Sequence, residues 1–369
     1  MNSKVKIVGV SDASLGYGSP QIPMFMQSLA IYYGTKSMII EPDTPGKPPL
    51  HDLYPDLLIK RMYTGIHPYS TAGRIRYIMA AAKEINKLRP DILVIFCTYS
   101  FPVLFKIKYR PRFVIYYAIE LISMYGSFDI MMNRYGAPFV DLVIFPEENR
   151  AAIDIERCSL HNLPIVIVYN SAATLSQANY IVHPRQRNGR IISAGTIGAE
   201  LTFAEYFLHE KMQSMPIDVY GPFEGIKKKE LAEAFHSLIG NVRYCGYVDL
   251  QYLARIRRHY SFSIVIWNPA VERGLYAPSN KFFEAISDGV PPITAPHPQH
   301  KMFVQRYKCG IVMKDWSFDS FYEAIQHALK IYGTEEYDAM VENCRKAFLE
   351  ELNWEKQFEK VKPFLKEVR

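Results

Sequence analysis

The chain has 369 residues, is 49% hydrophobic and 14% aromatic, and carries a formal net charge of +6. That length exceeds what one ordinary core fills, and that apolar content excludes a largely disordered protein, so two globular domains are expected. The five cysteines, Cys97, Cys158, Cys245, Cys309 and Cys344, are odd in number and lack C-x-x-C spacing, which argues against a disulfide framework or zinc ribbon and for a reducing, cytoplasmic setting.

In chain order, short β-branched or apolar runs predict strands at 5–10, 37–41, 91–98, 112–120, 142–146 and 165–169, with helices at 20–33, 73–88, 122–134 and 148–157. The first run leads straight into Ser11-Asp12 without the apolar length of a signal peptide. The runs at 92–97 and 113–119 fall far short of the ~20 residues that span a bilayer. Residues 171–189 lose the pattern and read as a linker. The alternation then restarts, with strands at 190–196, 217–221, 242–244, 261–267, 291–294 and 310–313 and helices at 201–213, 226–237, 249–258, 280–287, 299–307 and 317–331. Helical segments at 334–350 and 352–367 have no strand after them.

Repeated strand–helix alternation predicts an α/β protein of two doubly wound, Rossmann-like domains facing a cleft. The expected division is one domain at 1–175, a second at 190–345, and a C-terminal helix at 346–369 packing back across the junction. Charge is uneven: residues 1–150 hold seventeen Lys/Arg against twelve Asp/Glu, and 57–112 hold eleven against two. That basic stretch, interleaved with Met62, Tyr63, Tyr77, Phe105 and Tyr109, fits an anionic membrane surface or a phosphorylated lipid acceptor, and equally a solvated face. No helix-turn-helix, RRM or zinc-finger pattern supports a nucleic-acid partner.

The most specific segment is Ala277-Pro-Ser-Asn-Lys-Phe-Phe-Glu-Ala-Ile-Ser-Asp-Gly-Val-Pro-Pro-Ile-Thr294. Ser279 suits an N-cap, Phe282, Phe283 and Ile286 form an apolar side, and Asp288-Gly289 ends the helix before a short buried strand. Lys281 and Glu284 share a face in the first turn. A lysine at a positive helix end suits a diphosphate, and the carboxylate can accept from two ribose hydroxyls, although an ordinary surface Lys–Glu pair has the same spacing.

Over about 190–330 the chain resembles the nucleotide-binding domain of GT-B glycosyltransferases, in particular those around retaining family 4. The matching stretches are Ile191-Ile-Ser-Ala-Gly-Thr-Ile-Gly198, Ile217-Asp-Val-Tyr-Gly-Pro222, Asn241-Val-Arg-Tyr-Cys-Gly-Tyr-Val248, Ile264-Val-Ile-Trp-Asn-Pro269 and the helix segment from Asn280. The resemblance implies that 190–345 is the nucleotide-sugar-binding domain and 1–175 the acceptor-binding domain, that Glu284 binds the ribose, that Lys281 contacts the diphosphate with Asn280 also binding the donor, that Gly195 and Thr196 approach phosphate oxygens, and that the base lies against Gly246 and Tyr247. The family's first-turn Lys/Arg is missing from Gly195-Thr-Ile-Gly-Ala-Glu-Leu201, and Tyr276 stands where its first glutamate would be. Glu272 lies four residues earlier, and Arg273 is placed to reach phosphate from the same loop. The motif therefore does not assign retention or inversion.

In the first half, Glu120 ends a strand and Asp12 follows another, which makes Glu120 and then Asp12 candidates for a catalytic base. Glu120 equally fits a salt bridge or a helix cap. His67, His161 and His297 have no supporting motif. The Gly16-x-Gly18 loop lacks the third dinucleotide-binding glycine, and there is no Walker A sequence. Without a D-x-D or His/Asp cluster, no metal or other cofactor is expected.

The resulting expectation is a cytoplasmic glycosyltransferase, peripheral at the inner face of the membrane. It would carry a sugar from a UDP-linked donor to a glycan, lipid-linked or protein acceptor. A sugar-nucleotide 2-epimerase of the same fold and a non-catalytic subunit binding an acceptor or partner enzyme are the other readings.

Overall fold

The computed structural model describes residues 5–16, 18–47, 49, 54–173 and 182–365. The expected loop residue Tyr17, residues 174–181 of the expected linker and the last residues of the expected C-terminal helix lie outside the described residues. The chain divides into two compact units, residues 1–169 with 357–369, and residues 170–356.

The first unit contains β1 (Ile7–Ser11), α1 (Gln21–Tyr33), β2 (Ser37–Pro42), β3 (Leu57–Met62), α2 (Thr71–Leu88), β4 (Ile92–Phe96), β5 (Phe113–Tyr117), α3 (Ser127–Gly136), β6 (Leu142–Phe145), α4 (Glu148–Cys158) and β7 (Ile165–Ile167). All seven strands are parallel, in the order β3-β2-β1-β4-β5-β6-β7. Right-handed crossovers put α1, which leads toward the β3 edge, on one face and α2, α3 and α4 on the other. Alternation along the strands agrees. Phe96 and Tyr117 turn their rings to Phe25 of α1, whereas Ile95 and Tyr116 join the core under α2. The C-terminal residues share the α1 face: the Phe358 ring is 5.9 Å from Phe25, and the Tyr33 hydroxyl donates to the Leu365 carbonyl at 2.8 Å.

The second unit contains β8 (Ile191–Ala194), α5 (Ala199–Thr202), β9 (Ile217–Tyr220), α6 (Lys228–His236), β10 (Val242–Tyr244), α7 (Leu250–Arg257), β11 (Phe262–Val265), α8 (Glu272–Leu275), α9 (Asn280–Ser287), β12 (Pro292–Thr294), α10 (Pro298–Tyr307), β13 (Ile311–Val312), α11 (Phe318–Ile331) and α12 (Glu335–Glu350). Its parallel order is β10-β9-β8-β11-β12-β13. The short α13 (Trp354–Glu359) and α14 (Lys362–Leu365) follow.

Several expectations are corrected. β3 was not foreseen: it is an edge strand, and its Lys60 and Arg61 break the apolar pattern. The expected helix at 201–213 stops at Phe203, whose φ of 51° is left-handed, and continues only as short 3-10 turns. The helix expected at 122–134 is split at Gly126, with φ of 110°. Within the expected linker Arg187 is buried, donates to the Tyr260 carbonyl, and its own carbonyl accepts from Tyr332 at 2.7 Å, whereas His183, Arg185, Gln186 and Asn188 are exposed.

Candidate functional site

In the second unit the strand order reverses between β8 and β11, and the loops leaving these strands carry the candidate residues. Open parallel sheets bind ligands at such a switch point. Three glycines bring the loops after β8, β9 and β10 together. The Gly221 N–H donates to the Gly246 carbonyl at 3.0 Å, and the Gly195 N–H donates to the Tyr220 carbonyl at 2.9 Å. Gly221 has φ of 140°, and a Cβ there would collide with the Gly195 carbonyl. Gly195, at φ of 124°, gives up its Cβ space to the end of the Lys281 side chain. The sequence resemblance quoted Gly221 without assigning it a role.

Lys281 is half-buried in the first turn of α9, its Nζ 4.8 Å from the Trp267 ring centroid. Burial pulls its pKa down to about 8, against the opposing charges of Glu284 and Glu224. Among the described residues no hydrogen bond or ion pair reaches its ammonium. The helix end is also open. Ser279 takes the N-cap backbone conformation but does not cap, and its buried hydroxyl has no hydrogen-bond partner among the described residues. The Asn170 side-chain amide holds the turn before it, donating to the Pro278 carbonyl at 2.6 Å. Asn280, half-buried, is the first residue of α9.

Glu284 is not a simple surface partner of Lys281. One carboxylate oxygen accepts from Arg257 Nη1 at 2.6 Å, while Arg257 Nε donates to Asp288 at 2.6 Å. Arg257 is buried, so it fixes two positions of α9 from α7. Sequence reasoning missed it because 27 residues separate it from Glu284. Thr196 accepts through its carbonyl from the Thr202 hydroxyl at 3.2 Å. Tyr247 is exposed beside Gly246, whose own surroundings are open. Arg273 lies exposed on α8, between β11 and α9.

His297, expected as a surface or cleft histidine, is buried and structural. Its Nε2 accepts from the Trp267 N–H at 3.2 Å and its Nδ1–H donates to the Leu275 carbonyl at 3.1 Å. Burial lowers its pKa to about 4, so it is a neutral brace between the loop after β11 and α8.

The first unit has its own switch point, between β1 and β4. Asp12 follows β1, and Cys97, with φ of 63°, follows β4. Burial raises the Asp12 carboxyl to about 7, although hydrogen bonds from the Cys97 thiol and the Tyr99 N–H and the charge of Arg74 oppose the shift. The loop is pinned: the Leu15 N–H donates to Glu41 at 2.6 Å, and the Tyr77 hydroxyl donates to the Ser11 and Ile40 carbonyls. The Arg74 guanidinium lies 3.5 Å from the centroid of Tyr99, whose ring meets Tyr125. Its Nε is buried without a hydrogen-bond partner among the described residues.

Glu120 is 43% exposed and bonded to the buried Arg150 at 3.1 Å. This is the salt-bridge arrangement its position also allowed. His67 and His161 are exposed, the latter 3.8 Å from Glu156. Each unit thus brings together one desolvated ionisable group, Lys281 or Asp12, at the carboxyl ends of its central strands.

Comparison with solved structures gives the fold. Sucrose-phosphate synthase from Thermosynechococcus elongatus superposes with a TM-score of 0.74 at 14% identity, covering 99% of both chains. A glycosyltransferase from Rickettsia africae gives 0.69 at 13% identity, again over 99% of both chains. Anabaena HepE in complex with UDP-glucose gives 0.69 at 12% identity over 98% of this chain and 99% of that one. No protein-family model and no curated protein matches the chain. The chain has the GT-B glycosyltransferase fold.

Proposed function

We propose that the protein is a glycosyltransferase that moves a sugar from a nucleoside-diphosphate donor, UDP-linked, to a hydroxyl of a glycan, lipid-linked or protein acceptor. The observation that carries this reading is Lys281: an ammonium that no hydrogen bond or ion pair reaches among the described residues, packed over Gly195 at an uncapped helix end. A bound diphosphate would supply the missing charge and accept from the helix N–H groups. The carboxylate oxygen of Glu284 not bonded to Arg257 is assigned to the ribose, Tyr247 to the base, and Asn280, Gly195, Thr196, Gly246 and Arg273 to the donor's surroundings. HepE, of similar fold, was solved with UDP-glucose, which favours a uridine donor.

In the transfer, the acceptor oxygen bonds to the anomeric carbon, the bond from that carbon to the phosphate oxygen breaks, and its electron pair leaves with UDP. Asp12 is assigned the acceptor's proton ahead of Glu120. A carboxyl titrating near neutrality can accept and release a proton, whereas Glu120 is tied to Arg150. Lys281, Arg273 and the end of α9 carry the leaving group's charge in place of a metal, so transfer is expected to persist in EDTA.

Calorimetry with UDP and UDP-glucose tests the donor assignment. Lys281→Ala is expected to weaken binding by about 10- to 100-fold, the range for a charged hydrogen bond, and unchanged affinity in both Lys281→Ala and Glu284→Ala would sink it. No heat with any nucleotide would point to a non-catalytic subunit, and an epimerised sugar formed from donor alone to an epimerase.

A further inference from the structure

The outward face of the first unit's α2/α3 layer is both apolar and basic, and the folded chain sorts the basic stretch noted in the sequence. Lys60 is paired to Glu84 at 2.6 Å, Arg61 to Glu41 at 2.5 Å and Arg110 to Asp141 at 2.7 Å. Lys83 and Lys87 on α2, and Lys106 and Lys108 after the 3-10 turn Thr98–Phe105, are exposed. The one acid of α2, Glu84, is the partner of Lys60.

Helices α2 and α3 also present large apolar side chains to solvent. Ile75 is 61% and Met79 52% exposed on α2, and Phe128 is 63% and Tyr135 69% exposed on α3, with Met131 between them. Spacings of four on α2, and of three and four on α3, put each set on one helical face. Neither set belongs to the core, which takes Tyr77, Ile78, Ala81, Ala82 and Ile85 from the opposite side of α2.

Helices α2 and α3 are each braced against the 3-10 turn Thr98–Phe105 and the residues after it. The Asn86 side chain of α2 donates to the Lys106 carbonyl at 3.1 Å and accepts from the Lys108 N–H at 2.7 Å. At the end of α3, Gly136 leaves its Cβ space to the rings of Phe101 and Phe105, and Phe105 meets Phe139 with centroids 6.3 Å apart. Phe105 and Phe139 are themselves exposed. A hollow of about 580 Å³ lined by Ser127, Ile130, Met131, Arg134 and Tyr135 opens along α3.

We propose that this face docks on an anionic lipid bilayer. Ile75, Met79, Phe128, Met131 and Tyr135 enter the headgroup region, and Lys83, Lys87, Lys106 and Lys108 lie against lipid phosphates. The charge complementarity selects this occupant: a stripe of exposed apolar side chains flanked by lysines that have no ion pair among the described residues matches an interface that is apolar below and negative above. A polyanion alone would use the lysines and gain nothing from the apolar stripe. The proposal does not depend on the transferase reading.

Co-sedimentation of the full-length protein tests it, using phosphatidylcholine vesicles and vesicles that also contain phosphatidylglycerol. Binding is expected only to the anionic vesicles and to weaken as salt rises. Met131→Ser with Tyr135→Ser, and separately Met79→Ser, are each expected to lower partitioning, the pair by at least about tenfold given the apolar surface removed. Tyr135→Trp is expected to be quenched by brominated lipid. UDP binding by calorimetry is expected to stay at the wild-type value in every variant. Absence of lipid-dependent pelleting at low salt overturns the proposal, as does equal partitioning of the serine variants and wild type. Dimerisation seen by light scattering and abolished by the same substitutions also overturns it, in favour of a second copy of the chain.

Discussion

The two switch points solve opposite electrostatic problems with similar strands. In the first unit a carboxyl is desolvated beside a thiol and an arginine, and is held near neutrality in its protonation. In the second, an ammonium is desolvated against Trp267 and the bare backbone of Gly195, with a carboxylate–arginine clamp one turn further along the helix. The loops around the switch points of the two doubly wound sheets therefore offer a carboxyl in one and a cation in the other. The fold supplies the location, and the few side chains that follow the central strands supply the chemistry.

Substitutions can break this contrast, the most severe at Gly221. Its positive φ and the backbone collision a Cβ would create predict that Gly221→Ala costs above about 4 kcal/mol. Limited proteolysis is expected to show cleavage confined to residues 170–356. Arg257→Met strands Glu284 and the buried Asp288 and is expected to cost about 3–5 kcal/mol in chemical denaturation. Asp12→Asn has no such counterpart in binding. It is expected to lower turnover by about 10²- to 10⁴-fold while calorimetry gives an unchanged UDP affinity.

Protonation sharpens the comparison further. Asp12 moves from an ordinary 3.8 to about 7, so its stabilising proton is in place below pH 3.8 and is lost as pH rises through 7. His297 moves from 6.5 to about 4, and burial also lowers His300, so their contribution is complete above pH 6.5 and is lost as pH falls through 4. Scanning calorimetry between pH 7 and 4 is expected to show the second unit losing stability relative to the first. A smaller effect is proton uptake on UDP binding. At pH 9 the Lys281 amine is largely neutral and is expected to take up close to one proton, and at pH 7 almost none, read from calorimetry in buffers of different ionisation enthalpy.

Much of this was legible in the sequence, because buried parallel strands read as short apolar runs and the Lys281/Glu284 spacing is local. β3 was hidden because its charges belong to pairings with Glu84 and Glu41 that only the folded sheet creates. The same limit applied to Arg257 and Arg150, whose partners are 27 and 30 residues away in sequence. The failure of Ser279 to cap α9 was also unreadable, since the residue type and backbone conformation are those of a cap and only the hydroxyl's surroundings distinguish the two cases.

If the donor binds as proposed, the column of Gly195, Gly221 and Gly246 has a consequence for altering donor choice. Where loops meet through main chain alone, a ligand can be read there only by amide and carbonyl groups, which are the same for every amino acid. A side-chain library directed at Gly221 would sample misfolded proteins instead of new specificities. On the proposed donor site, diversity belongs at exposed neighbours such as Tyr247 and Glu224, where a changed side chain leaves the backbone stack undisturbed.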